Sequence, residues 1–149
     1  MKNILRIFIA LWYLLGWVSH FYLGIFSPAT YAVFGSTALF PWVENLWQAI
    51  VLPHITLCAL ILAVFEIVVG VLLVSKGKWV RVGLVLSIFF NLCLVLLGLG
   101  MPAANGLHDF LMNRLPNLVF IGLQLPLFRG DFPRSIPESI KFKFTQKAA

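Results

Sequence analysis

Four long apolar stretches, separated by short polar breaks, dominate the chain. The first runs from Leu5 to Phe26, the second from about Pro53 to Val74, the third from about Trp79 to Gly100 and the fourth from about Leu107 to Phe128. Each is about twenty residues long, enough for a helix to cross a hydrocarbon layer of about 30 Å. Runs this long and this uniformly apolar predict helices rather than barrel strands. Pro53 suits a first helical turn, where its missing N–H costs nothing, and Met101-Pro102 closes the third stretch. The turn Ser75-Lys76-Gly77-Lys78 is tight and makes its neighbours antiparallel. The pattern predicts an all-α fold: a left-handed four-transmembrane-helix bundle over residues 1–128 as a single domain, then a tail at 129–149.

Within the apolar stretches, small and polar residues recur at helical spacing. Gly16, His20 and Gly24 align on the first, and Ala59, Ala63, Glu66 and Gly70 on the second. Gly83, Ser87, Asn91 and Gly98 align on the third, and Asn113, Asn117 and Gln124 on the fourth. Small residues let backbones approach, and polar ones bond across helices, so the stripes predict one shared interior. The connection from Ser27 to Leu52 is long and aromatic, with Tyr31, Phe34, Phe40, Trp42 and Trp47. Residues Pro41 to Trp47 read as a short helix in the outer interface, where Trp rings settle, or as a lid over an outward-facing pocket.

Composition agrees with the pattern. Of the 149 residues, 61% are hydrophobic and 11% charged, and mean hydropathy is +0.98. Soluble domains run at about 45–50% apolar and about 25% charged, so a soluble or disordered chain is excluded. The net charge of +6 does not point to nucleic acid, because the charges sit at the ends of apolar runs. Lys2 and Arg6 precede the first run, Lys76, Lys78 and Arg81 surround the turn between the second and third, and Arg129, Arg134, Lys141, Lys143 and Lys147 follow the fourth. With four crossings, ten of the eleven Lys and Arg residues fall on one side, Arg114 being the exception. The excess of cations on the cytoplasmic side then sets both termini inside, in a multi-pass protein of a membrane such as the bacterial cytoplasmic membrane. The first run is too long for a signal-peptide core and reads as an uncleaved helix. The tail reads as loose and basic, near anionic headgroups, with Lys141-Phe142-Lys143-Phe144 able to dock on them.

Candidate chemistry lies with polar residues at membrane depth. Such groups are costly and normally face a bundle interior. Glu66, Asn91 and Asn117 fall near the middle of their stretches, Arg114 about a turn from the middle, and His20 in the outer half. These five form the expected intramembrane polar site, with His54, Asn113 and Gln124 as further candidates. A carboxylate there needs a partner or a changed protonation state. Two readings of Glu66 stand: a structural pair with Arg114, or a functional acid. His20, His54 and His108 share no metal-ligand spacing, and Cys58 and Cys93 lie 35 residues apart with no Cys-x-x-Cys, so no metal, haem or dithiol motif is present.

Phe65-Glu66-Ile67, Gly70 one turn later, a short glycine-containing turn and Arg81 resemble the DoxX-like family of small four-helix membrane proteins. Arg6 near the start of the first stretch and His20 late in it fit the same resemblance, which covers residues 5–128. It implies a redox-associated membrane protein, similar to subunits of thiosulfate:quinone oxidoreductase or to accessory components of membrane redox complexes. It carries over Glu66, Gly70 and Arg81 by position. Leu14 to His20, Lys76 to Arg81 and Leu107-His108-Asp109 are similar to stretches of the emopamil-binding-protein-like (EXPERA) family, which implies a pocket for sterol-like ligands. The first stretch has no acidic residue late in its course, where that family's ligand site leads one to expect one.

Three functions follow as expectations. The first is binding of a small lipophile, quinone-like, around Glu66, in a membrane redox setting. The second is a non-enzymatic accessory or assembly subunit, or a self-associating one, whose polar residues only join helices. The third is an EXPERA-like sterol or lipid isomerase.

Overall fold

The computed structural model describes residues 2–147, with side chains as far as Phe142. Among these residues every regular element is helical. Helix α1 runs unbroken over Lys2–Phe26. A 3-10 turn, Pro28–Tyr31, and one helical turn, Ala32–Gly35, carry the chain across the end of the bundle. Helix α2 spans Pro41–Val74 and α3 spans Lys78–Leu97. Helix α4 covers residues 106–129 in four joined pieces, and α5 covers Ile136–Lys147. By length and composition, α1, α2 and α3 can each cross a membrane.

Two prolines explain where the elements depart from the predicted bounds. Helix α2 does not begin at Pro53. It reaches back to Pro41 through a π-turn at Trp47–Val51 and a 3-10 turn at Leu52–His54. The predicted Pro41–Trp47 helix is therefore the start of α2. Helix α4 repeats the device, with a π-turn at Phe110–Arg114 just before Leu115-Pro116. In both, the residue before proline bonds five residues back, Leu52 to Trp47 and Leu115 to Phe110. A proline ring has no N–H and clashes with the carbonyl four residues back, and the wider turn relieves that clash. A 3-10 turn, Leu125–Arg129, ends α4 around Pro126. Helix α3 stops at Leu97, short of the predicted Gly100, because Gly98 and Gly100 take φ of 88° and 70° and turn the chain.

The small-residue stripes set the packing. A Cβ at Gly24 would lie 2.6 Å from Ala59 Cβ, and one at Gly70 2.6 Å from the Leu14 side chain, so α1 and α2 touch along their lengths. Thr56 Oγ1 donates to the Gly24 carbonyl at 2.9 Å across the same contact. Gly83 brings α3 against Leu72 and Leu73 of α2. Helix α4 packs closely on α3 and meets α1 mainly through Phe120, whose ring lies 5.6–6.3 Å from those of Phe8, Trp12 and Tyr13. The apolar core gathers Ile9, Tyr13, Val69, Leu73, Leu84 and Leu127 towards the basic end.

That basic end is closed by the chain beyond α4, which is not loose as predicted. Gly77 N–H donates to the Phe132 carbonyl at 2.8 Å, and Phe132 and Ile136 are buried in the core. Arg6, 1% exposed, stacks over the Phe132 ring and donates to the Leu73, Val74, Ser75 and Arg134 carbonyls. The carbonyls at the end of α2 have no partner within the helix, and a buried cation there satisfies them. Ser135 and Glu138 then form a reciprocal cap at the start of α5, Ser135 N–H to Glu138 Oε2 at 2.8 Å and Glu138 N–H to Ser135 Oγ at 3.3 Å. The expected docking of Lys141 to Phe144 on a membrane rests partly on the side chains of Lys143 and Phe144, which lie outside the described residues.

Candidate functional site

The site is built around Glu66, 3% exposed on the face of α2 that meets α1. A Cβ at Gly16 would lie 3.1 and 3.2 Å from the two carboxylate oxygens, so the α1 backbone passes directly over the acid. One turn further along α1, His20 Nε2 stands 3.6 Å from Glu66 Oε1. His20 Nδ1 is 2.8 Å from the Tyr31 hydroxyl, and the two rings stack at 6.1 Å. Burial first, and the Glu66 charge second, push the Tyr31 hydroxyl up to about 12. It therefore keeps its proton near neutral pH and shares a hydrogen bond with His20 Nδ1. Trp47 Nε1 donates to the Tyr31 carbonyl at 3.1 Å and ties this connection to α2.

A cavity of about 390 Å³ opens beside the carboxylate. Helix α1 contributes Tyr13, Gly16 and His20 to its wall, α3 contributes Phe90, Asn91 and Leu94, and α4 contributes Asn117 and Phe120. Asn91 is held in place: its Nδ2 donates to the Tyr13 hydroxyl at 3.0 Å and to the Ser87 carbonyl at 2.8 Å. Ser87 Oγ donates to the same hydroxyl at 2.8 Å. Two other atoms are left over. Glu66 Oε2 and Asn117 Nδ2 are buried without a hydrogen-bond partner. Mostly apolar walls with a few convergent polar groups are what a small-molecule site requires.

Four of the five principal residues read from the sequence, Glu66, His20, Asn91 and Asn117, thus line one cavity. Arg114 does not, and the expected Glu66–Arg114 pair is absent. Arg114 donates to the Val95 carbonyl at 2.9 Å and to the Thr37 carbonyl, and lies 3.4 Å from Asp109 Oδ2. Those carbonyls belong to the end of α3 and to the connection beyond α1, where backbone acceptors lack helical partners, so the guanidinium goes to them. The counter-group of Glu66 is His20.

The further candidates separate from the site as well. Asn113 pins the turn after α3, accepting from Leu99 and Met101 N–H at 3.1 and 2.9 Å and donating to the Met101 carbonyl at 2.9 Å. Gln124 is fully buried and donates to the Phe120 carbonyl of its own helix at 3.1 Å. His54 is exposed at the proline turn of α2. Cys58 and Cys93 are free thiols on α2 and α3. Among the described residues no three His, Cys, Asp or Glu side chains gather as a metal site would need. Tyr13 and Tyr31 were not singled out from the sequence. Tyr13 had a usable signal, since it lies seven residues before His20 and so on the same helical face. Tyr31 had none, because its position depends on how the connection folds back.

No protein-family model matches the chain, and neither a curated protein nor a solved structure is significantly similar to it.

Proposed function

We propose that the chain is a four-crossing membrane protein, with both termini on the cytoplasmic side, that binds a small lipophilic molecule in the cavity at Glu66. Helix α4 is the fourth crossing. Its residues 106–129 are helical throughout and long enough to span despite the proline turn. The cations of the basic end support the orientation. A redox-associated role of the DoxX-like kind, in a bacterial cytoplasmic membrane, is the setting we favour, with a quinone-like molecule as the first occupant to test.

One observation carries the reading: a buried carboxylate that lines a mainly apolar cavity of about 390 Å³ has a histidine 3.6 Å from one oxygen and no partner in the protein for the other. An unpaired buried acceptor costs about 1–3 kcal/mol, a cost that a donor on a bound molecule would offset. The accessory-subunit reading draws on a different observation, namely that Arg6, Arg114 and Asn113 direct their hydrogen bonds to backbone carbonyls and amides. The test is a melting curve of the purified protein in lipid nanodiscs with decylubiquinone. We expect a dose-dependent rise in Tm that is much reduced in Glu66→Gln. A flat response in the unsubstituted protein contradicts the quinone-like occupant.

A further inference from the structure

We infer that the basic end holds one anionic phospholipid in a groove between the start of α1 and the end of α4, with its phosphate at Lys2 and Arg129. The inference rests on the reading of α4 as a membrane crossing. It is independent of what occupies the cavity at Glu66.

The groove is amphiphilic along its length. Gly122, Leu125, Pro126 and Arg129 follow i, i+3, i+4, i+7 spacing and share one face of α4. That face and Lys2 of α1 wall a groove of about 540 Å³. Gly122 is exposed and a Cβ there would meet nothing within 4 Å, so the space over its backbone is open. Leu125 and Pro126 are exposed apolar wall. Lys2 Nζ donates to the Arg129 carbonyl at 3.1 Å and joins the two helices at the rim.

The rim carries charge that the protein does not balance. The acids of this end lie elsewhere, Glu138 beside Lys76 at 3.3 Å and Asp131 beside Arg81 at 3.8 Å. Of the other cations at this end, Arg6 is buried on backbone carbonyls and Arg134 lies 3.8 Å over the Phe142 ring. Lys2 and Arg129 are exposed, and among the described residues neither has a carboxylate partner. An ammonium has three donors and a guanidinium five, so one bond to a carbonyl leaves most of them for an anion.

Depth selects the anion. Lys2 opens α1 and Arg129 closes α4, which puts both at headgroup level in a crossing pair. Gly122 lies two turns deeper, about 10 Å towards the hydrocarbon. A free phosphate would match the rim and leave the apolar wall unused. A zwitterionic lipid brings its own cation to a cationic rim. An anionic phospholipid matches both parts, its phosphate at the cations and its first acyl carbons along Leu125, Pro126 and Gly122. Basic pockets between membrane helices at this level are where anionic headgroups settle.

The experiment is native mass spectrometry of the full chain released from nanodiscs of equal phosphatidylglycerol and phosphatidylcholine with the same acyl chains. We expect one retained phosphatidylglycerol, preferred by roughly tenfold, as two cations near a membrane surface warrant. Lys2→Gln with Arg129→Gln should abolish the preference. Lys78→Gln with Arg81→Gln, which removes equal charge from the far side of the same end, should keep it. Gly122→Trp, which fills the groove, should lose the lipid although both cations remain. Equal losses in the two charge pairs, or full retention in Gly122→Trp, would make the attraction diffuse and overturn the site. Displacement by excess inorganic phosphate would overturn the lipid as occupant, and loss of the lipid in Glu66→Gln would move it to the cavity. In a background lacking Cys58 and Cys93, Ala103→Cys and Asp131→Cys should react with an impermeant maleimide from opposite sides. Reaction from one side overturns the α4 crossing and this inference with it. Reaction from opposite sides, with no preference for phosphatidylglycerol, overturns this inference alone.

Discussion

At the scale of single residues, the polar side chains inside the apolar stretches divide into two kinds. Arg6, Arg114 and Asn113 complete backbone groups that helix ends leave open. Glu66 and Asn117 line the cavity and each keeps an atom without a partner, as Arg114 Nε and Gln124 Oε1 do away from it. The first kind should matter for stability. Arg6→Ala uncovers the carbonyls of Leu73, Val74 and Ser75 at once, and we expect a loss of roughly 2–4 kcal/mol, read as a lower Tm in detergent. Arg81→Ala is the control. Its contact with Asp131 is 3.8 Å long, with Asp131 98% exposed, so its removal should change Tm by no more than about 1 °C. Glu66, Asn91 and Asn117 were legible because polarity at membrane depth is conspicuous whatever the packing. Arg6 was legible only as a topology signal, because a cation before an apolar run looks the same whether it faces lipid headgroups or a helix end. The partner of Glu66 was misjudged for a similar reason. Sequence depth ranks cations, but it does not tell which open carbonyls compete for them.

At the scale of elements, the close contact of α1 and α2 depends on a few positions without side chains. Gly70→Ala would put a methyl 2.6 Å from Leu14 and 3.2 Å from its backbone nitrogen, so the helices must part. Gly122→Ala meets nothing within 4 Å on α4 and only gains helix propensity, about 0.5–1 kcal/mol. We expect Gly70→Ala to lower Tm and Gly122→Ala to leave it equal or higher, and the opposite order would contradict this packing. The α5 cap gives a pH dependence. Hydrogen bonds from Ser135, then from Lys76, hold the Glu138 carboxyl below its ordinary 4.5. A lowered folded-state value means the contribution is present above the unfolded value and is lost as pH falls through the folded one. Backbone amide protection in α5, taken relative to the intrinsic exchange rate at each pH, should therefore fall once pH drops below the ordinary carboxyl value of 4.5, and Glu138→Ala should show the weaker protection already at neutral pH. The stripes that set these contacts were plain in the sequence because 3.6-residue spacing survives into structure. The backward extension of α2 was not, because a proline reads as a helix start, and only tertiary fit decides whether a π-turn carries the helix through it.

At the scale of the whole molecule, charge segregation and the cavity's position belong together. Glu66 lies between the basic end, closed by Arg6 and Phe132, and the opposite end, covered by the aromatic connection, and the proposed orientation sets the basic end inside. Single cysteines in a background lacking Cys58 and Cys93 test the orientation. Lys78→Cys should react with a membrane-impermeant maleimide only after the membrane is opened, and Ala103→Cys in intact cells. The reverse pattern would invert the molecule, and labelling of both from one side would remove a crossing. The all-helical architecture was legible from composition and apolar run length alone. The sealing of the basic end was not, because the segment after α4 is short of apolar runs and docks through Phe132, Ile136 and backbone hydrogen bonds.

The central claim is that Glu66 faces a ligand rather than only a helix. Native mass spectrometry of the gently solubilised protein, beside Glu66→Gln prepared identically, tests it most directly. The account predicts a stoichiometric small lipophile on the unsubstituted protein that is largely lost from a variant melting within a few degrees of it. A bare chain, or one carrying only protein subunits, with the variant markedly less stable, would contradict it and make Glu66 a structural tie between α1 and α2.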